Sequence, residues 1–183
     1  MMLAPLLLAC GWLEPTAVQS APTEPLVDLS GEGPVPYTVV WSDVAEMFPT
    51  SPGMLVAFDG VVPGMPEAEA RGALEAARME GAEITEQVVE GYVAVSSRLE
   101  HGHTEVWATL VFGPDHRLHT VDIDIEWGAA SMVLAERWGQ PETVPAPEGP
   151  WPMGRWMAEP WVVELHRLPE GKGVVQYRAA GGA

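Results

Sequence analysis

Residues Leu118–Trp127 read Leu-His-Thr-Val-Asp-Ile-Asp-Ile-Glu-Trp and show the clearest alternation of apolar and polar residues in the chain. Successive side chains of a strand point to opposite faces of a sheet. One set of alternate residues is mainly apolar and comprises His119, Val121, Ile123, Ile125 and Trp127. The other set comprises Leu118, Thr120, Asp122, Asp124 and Glu126. The alternation predicts a strand of an antiparallel sheet with one buried face and one hydrated face.

Further strands are predicted on both sides of this one. Tyr92–Leu99 and Thr104–Phe112 precede it and are rich in β-branched and aromatic residues. The turn-forming sequences Glu100–His103 and Gly113–Arg117 connect the three strands into an antiparallel meander. Two shorter runs with strand character lie earlier in the chain, at Tyr37–Trp41 and Met54–Asp59. Three more predicted strands lie near the C-terminus, at Trp151–Met157, Trp161–Leu168 and Gly173–Arg178.

Two helices are predicted, one before each meander. Glu67–Glu80 follows Pro66, which suits a first helical turn, and ends before Gly81. Gly128–Trp138 ends before Gly139. The order of elements is therefore a helix and then a meander, twice. This order predicts an α+β fold in which helices pack on one face of an antiparallel sheet.

The chain divides by composition into three parts. Residues 1–10 form an apolar run that ends at Cys10, and the run is predicted to be an export signal because a spanning helix needs about 20 apolar residues. Residues 11–36 contain prolines and acidic residues without apolar periodicity, which predicts an acidic Pro-rich linker. Residues 37–180 carry the predicted helices and strands and are expected to fold as a single α+β domain.

Leu7-Leu8-Ala9-Cys10 is similar to the lipobox of bacterial lipoproteins. The resemblance implies that a signal peptidase cuts before Cys10 and that acyl chains on this cysteine anchor the protein to a membrane. It also implies a place in the bacterial cell envelope, facing the periplasm or the exterior. A start codon upstream of Met1 would explain why no basic residue precedes the apolar run. A conventional signal cleaved near Val18–Ala21 is the alternative.

Two motifs at helix boundaries carry a second resemblance. Gly64-Met65-Pro66 opens the first predicted helix, and Trp138-Gly139-Gln140-Pro141 closes the second. Both are similar to motifs of small envelope lipoproteins of the SmpA/OmlA type, which share a fold with the β-lactamase inhibitor protein. Members of that family assist outer-membrane protein assembly by binding protein partners. The resemblance therefore implies a similar fold and an envelope protein as partner.

Charge and motif content exclude several classes of function. The chain has 26 acidic against 9 basic residues, a formal net charge of −17, and its bases are dispersed from Arg71 to Arg178. Nucleic acids and anionic lipid surfaces attract clustered bases, so neither is an expected partner. The sequence contains no nucleophile elbow, phosphate-binding loop, dinucleotide fingerprint or His-Glu-x-x-His motif. We therefore expect a non-catalytic protein without a cofactor.

Carboxylates and histidines form two candidate sites. Asp122, Asp124 and Glu126 place three carboxylates on one face of a predicted strand, which indicates a surface for a partner or a cation, or simply a solvated face. His101 and His103 have the spacing of a weak exposed metal chelate, with a polar hairpin as the alternative. No other metal site is expected.

Aromatic residues form the third candidate site. Trp151, Trp156 and Trp161 lie in a stretch rich in proline and glycine, where they are candidates for an aromatic patch that holds a ligand or a partner, or for one end of the core.

The sequence as a whole favours a membrane-tethered envelope lipoprotein that acts as a non-catalytic protein-binding or assembly module. One alternative is a module that binds a glycan or peptide through these tryptophans. The other is a hydrolase of envelope polymers that uses unrecognised carboxylates.

Overall fold

An eight-stranded antiparallel sheet forms the framework of the computed structural model, which describes residues 40–144 and 153–180. The strands are β1 (Thr85–Val89), β2 (Tyr92–His101), β3 (Thr104–Phe112), β4 (Leu118–Glu126), β5 (Glu142–Val144), β6 (Met153–Ala158), β7 (Trp161–Arg167) and β8 (Lys172–Ala179). The helices are α1 (Trp41–Met47), α2 (Glu67–Ala77) and α3 (Trp127–Trp138). Single 3-10 turns lie at Val56–Phe58 and Pro169–Gly171.

The strand order across the sheet is β1-β2-β3-β4-β8-β7-β6-β5, and every neighbouring pair is antiparallel. Strands β1 to β4 follow one another across one half of the sheet. Strands β5 to β8 cross the other half in the reverse order, so that β4 pairs with β8. The prediction of an α+β fold with an antiparallel sheet is confirmed, and the described part of the chain is mainly sheet.

The hydrophobic core joins alternate strand residues to the helices. Ala108, Ile123, Val175 and Leu165 occupy directly paired positions on β3, β4, β8 and β7, and each is at most 2% exposed. Each helix contributes a fully buried residue to the same cluster: Val44, Leu74 and Leu134. Burying a side chain of this size contributes about 1.5–3 kcal/mol relative to leaving it in water.

The prediction of a strand at Tyr37–Trp41 is wrong at its described end. Trp41 begins helix α1 and is 45% exposed. The buried residues of this helix are Val44 and Met47, which are three positions apart. That spacing is helical, and a window that ended at Trp41 did not include it.

The prediction of a strand at Met54–Asp59 is also wrong. This segment is a loop with a single 3-10 turn at Val56–Phe58. Leu55 and Phe58 are its buried residues, three positions apart, while Val56 is 55% exposed. Leu55 and Phe58 therefore hold a turn against the core, and the run of apolar residues does not form a strand.

The predicted helices are found, with different ends. Helix α2 ends at Ala77 instead of Glu80, because Arg78 has extended backbone angles and pairs with Leu99 on β2. Helix α3 begins one residue earlier than predicted, at Trp127. The side chain of Glu126 caps it by accepting hydrogen bonds from the backbone N–H groups of the second and third helical residues.

The strands of both meanders are confirmed within one or two residues at each end. Two edge strands were not predicted, β1 and the short β5. Strand β1 lacks the alternation that marks a half-buried strand, since four of its five residues are exposed. It is joined to β2 by a two-residue turn in which Glu90 and Gly91 have φ of 51° and 86°. Such a turn matches the twist of a hairpin.

Candidate functional site

A row of polar side chains crosses seven strands at directly paired positions. Its members, which we call the polar row, are Thr85, Ser96, Thr109, Asp122, Gln176, Glu164 and Arg155. Residues that pair directly share a face of the sheet. The row alternates along the strands with the core residues Ile123, Val175 and Leu165, so it lies on the face opposite to them. With about 4.8 Å between neighbouring strands, the row is about 29 Å long.

Glu164 is the most enclosed carboxylate of the polar row, at 4% exposed. Arg155 donates from Nε to its Oε1 at 2.8 Å, and Arg178 donates from Nη2 to the same oxygen at 2.7 Å. Burial by itself raises the pKa of Glu164, but the hydrogen bonds and charges of the two guanidinium groups outweigh it and hold the pKa below its usual value. Glu164 is therefore a fixed, ion-paired anion at neutral pH.

The pKa of Asp122 is shifted in the opposite direction from that of Glu164. Gln176 donates from Nε2 to its Oδ1 at 3.0 Å. Burial raises the pKa of Asp122 to about 6; the hydrogen bond from Gln176 opposes this increase in part, and the charge of Asp124 adds a smaller increase. Asp122 can therefore exchange a proton close to neutral pH, whereas Glu164 on the same row cannot.

The remaining part of the polar row consists of hydroxyl groups. The side-chain oxygens of Ser96 and Thr109 are 2.8 Å apart and share a hydrogen bond, and both residues are at most 9% exposed. At the edge of the sheet, Thr85 donates to the backbone oxygen of Ser96 at 3.5 Å. The row thus passes from uncharged hydroxyls, through Asp122, to an ion-paired carboxylate.

His166 lies beside the polar row on β7, with Nε2 at 3.8 Å from Glu164 Oε2. Its Nε2 is buried and has no hydrogen-bond partner among the residues that the structure describes. Burial lowers the pKa of His166; the charge of Glu164 raises it, and that of Arg178 lowers it further. The imidazole is therefore held neutral over a wider pH range than a free histidine.

The three carboxylates predicted as one acidic surface have different surroundings. All three are partly buried, on the same face of β4. Asp122 belongs to the polar row, and Asp124 pairs in register with Trp107 and Val174. Glu126 binds the backbone of helix α3, accepting from Gly128 N at 2.8 Å and from Ala129 N. The carboxylate of Glu126 is thus occupied as a helix cap.

The predicted aromatic patch does not match the described tryptophans. Trp156 and Trp161 are 6% and 2% exposed and belong to the hydrophobic core. Their indole N–H groups donate to backbone oxygens, that of Gly139 at 2.9 Å and that of Val61 at 3.3 Å. These two rings therefore close the core, which was the alternative interpretation. Trp151 lies outside the described residues.

The histidines predicted as a weak chelate are held by separate carboxylates. His101 Nε2 lies 3.1 Å from Glu46 Oε2, and the backbone N–H of His103 donates to Asp43. The hairpin between β2 and β3 is thus tied to helix α1. Over residues 40–144 and 153–180, no group of three His, Cys, Asp or Glu side chains is placed to hold a metal ion.

An open groove of about 400 Å³ lies at the start of helix α2. It is lined by Pro66, Glu67, Ala68, Arg71 and His116. Glu67 is paired to His116 at 2.8 Å and to Arg71 at 2.6 Å, and these two partners lower its pKa against a smaller effect of burial. The charged side chains that line the groove, Glu67, Arg71 and His116, are therefore paired with one another.

The residues that sequence reasoning missed are those of the Glu164 network. Arg155, Glu164 and Arg178 are 9 and 14 positions apart in sequence, so only the register of β6, β7 and β8 brings them together. Gln176 is 54 positions away from Asp122 in the sequence and meets it through the pairing of β4 with β8. The sequence signal that could have indicated this network is the alternation of polar with apolar residues along the C-terminal strands.

Cys10 lies outside the described residues. The longest helix in the described part of the chain is α3, with 12 residues, and no helix there is long and apolar enough to span a bilayer. The chain matches no known protein-family model, and no curated protein or solved structure matches it significantly.

Proposed function

We propose that the chain is a membrane-tethered lipoprotein of the bacterial envelope whose folded part binds a protein partner without catalysing a reaction. The observation that supports this is the polar row, an ordered line of side chains across seven strands. Its length of about 29 Å is close to the width of a protein–protein interface, which buries about 800 Å² on each partner.

The fixed charges of the row favour a protein partner. Arg155 and Arg178 are already held by Glu164, so binding a partner costs little additional side-chain entropy. Ordered charges of both signs give specificity to an interface through electrostatic complementarity. The partly exposed members of the row are Asp122, Gln176 and Arg155, on three different strands. This spread fits a broad protein contact better than a compact substrate.

The architecture that would present this surface is two helix-then-meander units with the helices packed on one face of the sheet. It is the arrangement implied by the resemblance to envelope lipoproteins of the SmpA/OmlA type. Its support is the shared core, in which Leu74 and Leu134 of the helices join Ile123 and Val175 of the strands. The polar row occupies the positions between these strand residues, on the opposite face.

The tether rests on the lipobox similarity of Leu7-Leu8-Ala9-Cys10. We propose that residues 1–10 supply the export signal, that Cys10 carries the acyl chains and that residues 11–36 link the anchor to the folded part. Metabolic labelling with radioactive palmitate in a bacterial host should mark the full-length chain and leave Cys10→Ser unlabelled. Equal labelling of the two would refute the anchor, and absence of label on both would favour the signal cleaved near Val18–Ala21.

Site-specific photo-crosslinking tests the partner surface. A photoreactive amino acid at Thr120 or Asp124, beside the row, should give discrete protein adducts from the full-length chain in cells. The matched control is Met132 on helix α3, which is 60% exposed and lies away from the row. The proposal fails if the row positions give no adducts while Met132 does, or if all three give the same ones.

The hydrolase alternative is favoured by one observation, the pKa of Asp122 near 6. A carboxyl group that titrates close to working pH is suited to general acid–base catalysis. Turnover of an envelope polymer by the purified full-length chain, lost in Asp122→Asn, would establish this alternative. Activity unaffected by Asp122→Asn would exclude Asp122 as the catalytic group.

A further inference from the structure

The edge of the sheet at β1 has an unusual surface. Among the described residues, β1 pairs only with β2, so one side of its backbone carries N–H and C=O groups without a strand partner. Ile84, Val88 and Val89 are 40%, 65% and 41% exposed along this edge. Free edges with exposed apolar residues are templates for the addition of another strand.

The same edge is strongly acidic. Residues 80–90 contain four glutamates and no basic residue. These glutamates are Glu80, Glu83, Glu86 and Glu90, and all are exposed. Arg71 on helix α2 pairs with one of these glutamates, Glu86, at 2.8 Å. The edge thus combines strand-pairing capacity and apolar surface with an excess of negative charge.

We propose that β1 binds an extended, positively charged segment of the protein partner, which adds to the sheet as a further strand. This inference rests on the proposed partner-binding function and names the chemistry of the partner. Lys or Arg side chains of the segment would face the glutamates, and its apolar side chains would cover Ile84, Val88 and Val89. Backbone hydrogen bonds would give affinity and the charges would give specificity.

Charge also argues against two other occupants. A second copy of this chain would bring two acidic edges together, each on a molecule of net charge −17, and like charges across an interface are unfavourable. The N-terminal segment of the same chain contains no Lys, Arg or His in residues 1–40 and four acidic residues. Neither therefore complements the glutamates of β1.

A peptide-binding experiment tests this directly. The probe is a fluorescent ten-residue peptide of alternating Val and Lys, titrated into the full-length chain in a non-ionic detergent. Two control peptides replace Lys with Glu, or two Val with Pro, because proline removes the N–H groups that a ladder needs. We expect the Val/Lys peptide to bind at least tenfold more tightly than either control. Equal binding of the proline peptide would mean that charge attraction alone is at work, and would overturn the proposal.

Variants locate the binding site. Glu83→Lys with Glu90→Lys should weaken binding at least tenfold, and Val88→Thr should weaken it while retaining a strand-forming residue. The matched control is Glu159→Lys with Glu170→Lys, two exposed positions in turns of the other half of the sheet, for which we expect less than a twofold change. Equal loss in the control pair, or no loss in the edge pair, would refute binding at β1.

Hydrogen exchange provides a readout that does not depend on the variants. Peptide binding should slow exchange of backbone N–H groups within residues 84–89 and leave β5 unchanged. Protection elsewhere, or a dimer that forms without peptide and is disrupted by the edge variants, would contradict the proposal. If Thr120 and Asp124 give photo-crosslinks but the peptide does not bind at β1, only this inference is refuted. If Thr120 and Asp124 give no photo-crosslinks, the result counts against the proposed partner-binding function itself.

Discussion

Replacing Asp122 with Asn should stabilise the protein, and increasingly so as pH rises. The folded-state pKa of Asp122 is about 6, above its ordinary value of 3.8. A group whose pKa is raised by folding contributes stability in its protonated form, and that contribution is lost as pH rises through the folded-state pKa. Asn cannot ionise and can still accept the hydrogen bond from Gln176.

The magnitude follows from the two pKa values. At 1.36 kcal/mol per pKa unit, the difference between 3.8 and about 6 corresponds to roughly 3 kcal/mol over the whole titration. The sequence pI is about 4.4, so the accessible range begins near pH 5. Between about pH 5 and pH 8, linkage gives a further stabilisation of Asp122→Asn over the native chain of about 1.4 kcal/mol.

Urea unfolding followed by tryptophan fluorescence can measure this difference. With slopes of about 1–3 kcal/mol per molar urea, the separation of the two midpoints should grow by about 0.5–1.4 M between pH 5 and pH 8. Asp59→Asn, at an exposed position after the first 3-10 turn, is the control and should show no such growth. A separation for Asp122→Asn that is the same at every pH would show that folding does not raise the pKa of Asp122.

Three other substitutions test contacts of the framework, each by urea unfolding. Arg178→Met should cost about 3 kcal/mol, because it leaves the enclosed Glu164 with Arg155 alone. Most of that cost should disappear when Glu164 is also replaced by Gln; an unchanged cost in the double variant would contradict the ion pairing. Glu126→Ala should cost about 0.5–2 kcal/mol by removing the cap of α3, and Glu126→Gln less; equal losses would argue against capping. Leu134→Ala should cost about 2–5 kcal/mol, and a negligible loss would contradict its burial.

The sequence predicted the meanders because local patterns specify them. Alternation in Leu118–Glu126 and the turn residues that precede it specify β4 without reference to distant residues. Strand β1 could not be found in the same way, since four of its five residues are exposed and its pairing depends on β2. The strand predicted at Met54–Asp59 failed because an apolar run has no unique period when it is only six residues long.

Only those features of the candidate site that depend on residues close together in the sequence could be predicted. Asp122, Asp124 and Glu126 share a strand face, and their spacing gave that face from the sequence. Their different surroundings arise from contacts with residues far away in the chain, such as Gln176 on β8. Periodicity shows which face a residue occupies, but pairing between β4 and β8 decides what lies next to it.

The expected stabilisation of the folded protein by Asp122→Asn bears on the role of Asp122. Proteins retain unfavourable groups where binding or catalysis requires them, so stabilising substitutions at such positions often reduce function. If Asp122→Asn stabilises the fold and also lowers the yield of partner crosslinks from Asp124, the desolvated carboxylate is part of the binding surface. If the fold is stabilised and the crosslinks are unchanged, the partner contacts other parts of the row, and the enclosed Glu164 pair becomes the next position to vary.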